Sequence, residues 1–290
     1  MSQLRISIVT PSFNQVRFLE HTIRSVMSQN YENLEYVIID GGSTDGSVEV
    51  IKQYAPHLAY WRSERDEGHG SALNEGFRQT TGEIMGWLNS DDLYLPWTLS
   101  TVAEIFASHP EVDWITGTNA IWDEKGRMVN AFRTFKNKYD FLLGRYEWIQ
   151  QESTFWRRSL WEAGGSSINE TYKFMVDGEL WSRFFLHARL YHARCVLGGF
   201  RQWAGNRSAS QIEACRTEMR QCIATMQQSC DTQTLKNAAK LRRVSSTPKS
   251  LRKTVDKLLH LSLPALRLET AYDVLTFEGN EWKHRRHSFI

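Results

Sequence analysis

Apolar and polar residues alternate over residues 5–10 and then meet Pro11, the pattern of a strand running into a loop. Over residues 15–28 the period changes: Phe18, Leu19, Ile23, Val26 and Met27 recur at helical spacing on one face. Tyr36-Val37-Ile38-Ile39 is a continuous apolar run, expected of a strand buried on both sides in a parallel sheet. It opens into a turn-rich stretch, residues 40–46, ahead of a helix over 47–54. The unit repeats: a strand over 58–61, a helix over 71–79, a strand over 84–88, and a helix from about 96 to 108. Such repetition predicts an α/β fold with a doubly wound sheet and right-handed crossovers. Ligands of these sheets bind beyond the carboxyl ends of the strands. The polar clusters at residues 10–14, 40–45 and 89–92 each follow a predicted strand and so mark one expected site.

After residues 113–122 the alternation loosens into a region rich in Trp, Phe and Tyr. Within it, Tyr146, Trp148, Phe155, Trp156, Trp161 and Trp181 read either as core or as a platform for sugar C–H faces, with Trp148 and Trp203 the exposed candidates. Residues 209–230 are helical by period, with Ile212, Cys215, Met219, Cys222, Ile223, Met226 and Cys230 forming a packing face. Residues 249–263 are a basic amphipathic stretch, Leu251, Val255, Leu258 and Leu259 standing opposite Lys249, Arg252, Lys253 and Lys257. That stretch has two readings, a solvated helix docked on the body or attachment to an anionic membrane surface.

With 41% hydrophobic and 23% charged residues, the 290-residue chain lies far from disorder. No apolar run approaches the roughly 18 residues of a membrane span. Residues 1–5 lack the basic-then-apolar order of a signal peptide, so a cytoplasmic protein is expected. The four cysteines form no C-x-x-C pair, and reduced thiols are expected. Charge is uneven: residues 236–290 hold 12 Lys and Arg against 5 Asp and Glu, leaving 23 against 28 before them. A basic tail favours an anionic partner. It lacks the aromatic–basic interleaving of an RNA reader, so nucleic acid is not expected.

Chemistry concentrates at the strand ends. Asn89-Ser90-Asp91-Asp92 sets two carboxylates side by side, suited either to a hard divalent cation or to the start of a helix. Asp40 stands beside Gly41 and Gly42, where a ligand could approach the backbone. No G-x-G-x-x-G, P-loop or G-x-S-x-G pattern occurs, which removes dinucleotide, P-loop and ordinary α/β-hydrolase readings.

Four ordered blocks resemble the family 2 glycosyltransferases: residues 7–14, residues 37–47, residues 82–92, and the pair 151–158 with 176–183. The resemblance implies a GT-A fold, a mixed sheet flanked by helices, in an inverting enzyme that uses nucleoside-diphosphate sugars, UDP-sugars foremost. It implies residues 1–208 as the GT-A domain, with 1–110 the nucleotide-sugar half and 111–208 the acceptor and base half. Residues 209–290 would be a helical, basic extension. Donor contacts fall by the same resemblance on Thr10, Pro11, Phe13, Asn14, Asp40, Arg65, Asp66, Gly70, Ser71, Asn74, Asn89 and Ser90. Asp40 would read the base edge, Asp91 and Asp92 would be the candidate ligands of Mn2+ or Mg2+, and Asp177 the general base. Asp177 also reads as a plain helix cap, with Glu179 the fallback acid.

Gln151, Glu152, Trp148, Arg201 and Trp203 are candidates for acceptor or phosphate contacts. Asn89 stands where the family's D-x-D motif begins with Asp, and Trp203 where relatives often carry a metal-touching histidine. Those departures keep a second class in view, a catalytically silent sugar-nucleotide or glycan-binding module. The expected acceptor is a glycan or lipid-linked glycan at the inner face of the cytoplasmic membrane.

Overall fold

The computed structural model describes residues 3–145, 149–206, 211–245 and 264–289. In chain order, β1 (Ile6–Ser12), α1 (Val16–Met27), β2 (Leu34–Asp40), α2 (Ser47–Tyr54), β3 (Tyr60–Ser63), α3 (His69–Arg78) and β4 (Ile84–Trp87) form the repeated units. Then come β5 (Leu93–Tyr94), α4 (Thr98–Ser108), β6 (Trp114–Thr116), β7 (Asn119–Trp122), β8 (Met128–Phe132) and α5 (Lys138–Leu142). The last part of the body is β9 (Thr154–Arg157), α6 (Arg158–Ala163), α7 (Val176–His187), β10 (Leu190–Ala193) and β11 (Gly198–Arg201). Beyond it lie α8 (Ile212–Ser229), α9 (Thr232–Ser245), α10 (Pro264–Thr270), β12 (Tyr272–Glu278) and β13 (Glu281–His287).

Nine strands make one sheet in the order β13-β12-β10-β6-β9-β4-β1-β2-β3, and a second sheet runs β5-β11-β7-β8. Every residue of β1 is buried, as its place inside the sheet requires. Side chains alternate across the pleat. Ile6, Ile8 and Ile38 enter one apolar cluster with Leu19, Ile23, Leu99 and Val102 from the helices of that face. Val9, Val37 and Ile39 enter the other, with Leu73, Phe77, Trp156 and Trp181. Helices therefore cover both faces, which is why the strands read as unbroken apolar runs.

The aromatic region resolves in favour of packing. Phe155, Trp156, Trp161 and Trp181 are buried, and Trp87 stacks on Trp181 with centroids 5.7 Å apart. Tyr146 and Trp148 lie outside the described residues, as does the amphipathic stretch 249–263. The helix foreseen over 209–230 is α8, with Cys215, Met219, Cys222, Ile223 and Met226 buried along it, and all four cysteines are free thiols.

One expectation needs correction: the end of the extension is not helical. Residues Tyr272–Glu278 and Glu281–His287 form a hairpin whose first strand pairs in parallel with β10, completing the main sheet. Gly279 and Asn280 both have positive φ, the backbone of a two-residue hairpin turn. Asp273, buried against Arg189, His284 and Arg286, ties the hairpin down. A Gly-Asn pair between alternating residues is a hairpin signal. A boundary at residue 208 thus parts the sequence but not the sheet.

Candidate active site

Strands β1, β2, β3 and β4 run parallel, so their carboxyl ends share one edge, with Ser12 beside Asp40 and Asp40 beside Ser63. Strand β9 runs antiparallel to β4 and brings its amino end, with the 3-10 turn Gln151–Ser153 before it, to that same edge. Strand β11 pairs antiparallel with β5 and lays Arg201 to Trp203 over the acidic pair.

Asp91 is half-buried, and its Oδ2 accepts a hydrogen bond from Trp203 Nε1 at 2.9 Å. Asp92 is fully buried: its Oδ1 accepts from the Arg201 backbone N–H at 2.8 Å and its Oδ2 from Asn89 Nδ2 at 3.3 Å. Burial pushes both carboxyls above the ordinary range, Asp92 further because Asp91 and Glu152 lie near. The helix-cap reading of this pair fails, since the next helix begins at Thr98 with Trp97 at its N-cap. Of the two acids Asp92 is the less available to a cation, being fully buried with a protein hydrogen bond on each oxygen. Arg201 is fully buried, its Nε donating to the Asp91 carbonyl at 2.5 Å and its Nη1 to the Glu124 carbonyl at 2.9 Å, while its Nη2 is buried without a hydrogen-bond partner.

Asp177 lies in the first turn of α7, one residue inside the start, with Met175 at the N-cap. It is therefore not a plain cap. Its Oδ1 accepts from the next backbone N–H, of Gly178, at 2.8 Å. Burial raises this carboxyl to about 6 against those hydrogen bonds, with Glu218 adding to the rise. The turn before α7 is held by Glu218 of α8, whose carboxylate accepts from the backbone N–H groups of Lys173, Phe174 and Met175 at 2.8–2.9 Å. A Cβ on Gly178 would meet the Met219 sulfur at 2.7 Å, so α8 lies hard against the base-bearing turn. Glu218 escaped the sequence reading. Its lone clue was a charge between Cys215, Met219 and Cys222, a residue that helical spacing assigns close to the packing face.

Glu152 is buried, and its pKa is raised to about 8, chiefly by burial and then by the charges of Asp177 and Asp91. Glu152 is thus near enough to both acids to feel their charges.

The expected donor residues divide. Phe13 is 61% exposed at the end of β1, and Arg65 is also exposed. Half-buried Asp66 is pushed up by burial, accepts from the Gly68 N–H at 2.8 Å and borders Gly41. Ser71 and Asn89 are half-buried, and Asn89 Oδ1 lies 3.1 Å from His69 Nε2. Residues 67–71 line a cleft of about 120 Å³ with Glu170, Tyr172 and Lys173.

The others are walls. Thr10 and Pro11 are buried, the Thr10 hydroxyl meeting Tyr36 at 3.0 Å. Asp40 is fully buried and accepts from the Gly42 and Ser43 N–H groups and the Ser43 and Ser63 hydroxyls, so it is not open to a base edge. It shapes the loop instead. Exposed Asn14 accepts from the Thr44 N–H and so fastens the same loop. Asn74 is spent on Ile168 and Glu170, Gly70 packs on Glu170, and Ser90 is buried.

Among the described residues no group of three His, Cys, Asp or Glu side chains converges as a self-sufficient metal site. The donors present fit a cation held by one carboxylate, that of Asp91, with a diphosphate and water supplying the rest, the usual manner of Mg2+ and Mn2+. Trp203 cannot ligate, because an indole nitrogen only donates.

Comparison with known proteins fits this geometry. The family model described as Glycosyl transferase family 2 matches residues 7–161. An uncharacterized glycosyltransferase of Nostoc sp. is 37% identical over 106 residues, 36% of this chain and 33% of that protein. One from Mycobacterium tuberculosis is 29% identical over 200 residues, covering 67% of this chain and 74% of its own. The matched stretch is thus a third of the cyanobacterial relative's length. Among solved structures, S. aureus TarS 1–349 in complex with UDP-GlcNAc superposes with a TM-score of 0.65 at 15% identity, over 91% of this chain and 82% of that one. The mannosyltransferase PcManGT from Pyrobaculum calidifontis, in complex with GDP-Man and Mn2+, gives 0.58 at 19% identity, over 92% and 72%. At such identities the likeness is one of fold, and the fold is GT-A-like. With the family model spanning more than half its length, the chain belongs to glycosyl transferase family 2.

Proposed function

We propose that the chain is an inverting, metal-assisted glycosyltransferase moving a sugar from a nucleoside-diphosphate donor, a UDP-sugar foremost, to a hydroxyl of a glycan or lipid-linked glycan. One observation carries the reading: the buried Glu152 carboxyl, at the strand edge that bears Asp91, is raised by the charges of both Asp91 and Asp177, so candidate metal ligand and candidate base lie near one buried carboxyl. Residues 1–110 would serve the donor and 111–208 the base and acceptor, with Phe13 offering an exposed ring to the nucleotide. The basic residues 236–290 favour an acceptor held at an anionic membrane face. Among the described residues no helix is long and apolar enough to cross a membrane.

Asp177 takes the proton of the acceptor hydroxyl as that oxygen attacks the anomeric carbon, opposite the departing diphosphate, and configuration inverts. Asp91 would hold a divalent cation, which would supply Lewis-acid stabilisation of the leaving diphosphate. Glu218 keeps the base aimed by gripping the three backbone N–H groups ahead of it.

Titration with UDP, GDP and their common sugars, with and without Mn2+, tests the reading alongside release of the nucleoside diphosphate. The expected result is one nucleotide class bound about tenfold tighter with Mn2+ and slowly hydrolysed, since the cation is asked for at least 1.4 kcal/mol. Binding with neither turnover nor metal response would make the chain a silent binding module. A second outcome concerns the support of the base. Glu218→Ala should lower kcat about 10- to 100-fold with little change in donor KM, the cost of misplacing a reacting group, while Glu218→Gln loses less.

A further inference from the structure

Turn Gln151–Ser153 stands at the strand edge that carries Asn89 to Asp92, because β9 reverses direction beside β4. Strand β11 clamps it from behind: a Cβ on Gly198 would stand 2.2 Å from the Glu152 carbonyl oxygen. Gln151 is 6% exposed and Glu152 3%. The Gln151 amide nitrogen donates to the Trp87 carbonyl, which leaves its Oε1 facing no donor. Glu152 Oε1 is likewise buried with no partner. Buried acceptors in folded proteins are normally satisfied. Here two on successive residues are not, and both are shut away from water.

The missing donors have a definable chemistry. The unpaired atoms are the oxygens Gln151 Oε1 and Glu152 Oε1, which an ionised phosphate or carboxylate, having no donor, does not satisfy. A cation lacks a converging ligand set among the described residues. Neutral O–H groups remain. Their position follows from the reading above, on which this inference rests: the ring in transfer lies between the leaving diphosphate at Asp91 and the attacking oxygen at Asp177. We infer that Gln151 and Glu152 accept hydrogen bonds from hydroxyl groups of the transferred sugar and so select the donor sugar.

A site built to pair with a hydroxyl discriminates strongly against an analogue lacking it. UDP-glucose, UDP-N-acetylglucosamine, GDP-mannose and their monodeoxy analogues are the probes, against wild type, Glu152→Gln, Glu152→Ala and Gln151→Ala. In wild type, removal of the contacted hydroxyl should cost about tenfold or more in donor kcat/KM, the effect of one lost hydrogen bond. In Glu152→Ala or Gln151→Ala that same removal should cost less than about twofold, because the acceptor has already gone. UDP and GDP alone, which carry no sugar, should bind every variant as they bind wild type.

An unchanged deoxy penalty in all variants overturns the inference, as does equal loss of nucleoside diphosphate and donor sugar. Should Glu152→Ala fail to fold, Gln151→Ala carries the same comparison, with the isosteric Glu152→Gln, which keeps an acceptor oxygen, as the folded control that retains the deoxy penalty. A wild type that binds nucleoside diphosphate but shows no deoxy penalty sinks the inference alone. One that binds none of the nucleotides sinks the donor reading and this inference with it.

Discussion

Replacing Asp177 by Asn should reduce sugar transfer by about 1,000-fold, within the range set by loss of a general base, while donor affinity changes little. The amide keeps the size of the side chain and its place in the first turn of α7. What it loses is the ability to take a proton. The wild-type pH profile should carry the same information. Burial raises this carboxyl from 3.8 to about 6, so it is mostly ionised at pH 7 and becomes protonated as pH falls through 6. A base works only when unprotonated, so kcat should fall about tenfold per pH unit below that point and level off above it. The residual rate of Asp177→Asn should show no such acid limb. Full activity in the variant, or an acid limb that survives the substitution, would remove Asp177 from the mechanism.

The next largest effect belongs to Asp91. Asp91→Asn removes the less buried acidic side chain of the pair, and transfer should drop about 100-fold with loss of the metal's charge stabilisation. The tightening of donor binding by Mn2+ should disappear with it, which separates this variant from Asp177→Asn, where it persists. The fold should tolerate the change, because the Trp203 indole N–H still finds the amide oxygen. Asp92→Asn should behave differently: its carboxylate accepts the Arg201 backbone N–H and Asn89 Nδ2 in the interior, so lowered stability, measured by thermal unfolding, is expected. If Asp92→Asn alone abolished the Mn2+ effect at unchanged stability, the assignment of the two acids would be reversed.

Much of the architecture could be read from short stretches. Strands β1, β2 and β4 and helices α1, α3 and α8 announced themselves by period, and each needs only its own residues to show which face is apolar. The strand-end clusters were legible for the same reason, since parallel strands put successive carboxyl ends on one edge. The terminal hairpin was misjudged as helix because composition and charge were weighed over its Gly-Asn turn. The candidate donor residues gather at the strand edge, several of them buried or bonded within the protein. Asp40 and Asn74 look available in a linear reading, yet each is consumed by partners that lie up to 96 positions away.

By itself, then, the order of residues determined the alternation of strands and helices, the edge where polar side chains collect, and the kinship those blocks betray. Folding in three dimensions decided which acids are free and which are spent. It turned β9 against its neighbours to bring Glu152 among the acids, and it swung Glu218 from a distant helix under the turn that bears Asp177. The reason is physical. Period and turn chemistry are local, whereas the protonation and reach of a carboxylate depend on desolvation and hydrogen-bond partners contributed by segments remote in the chain.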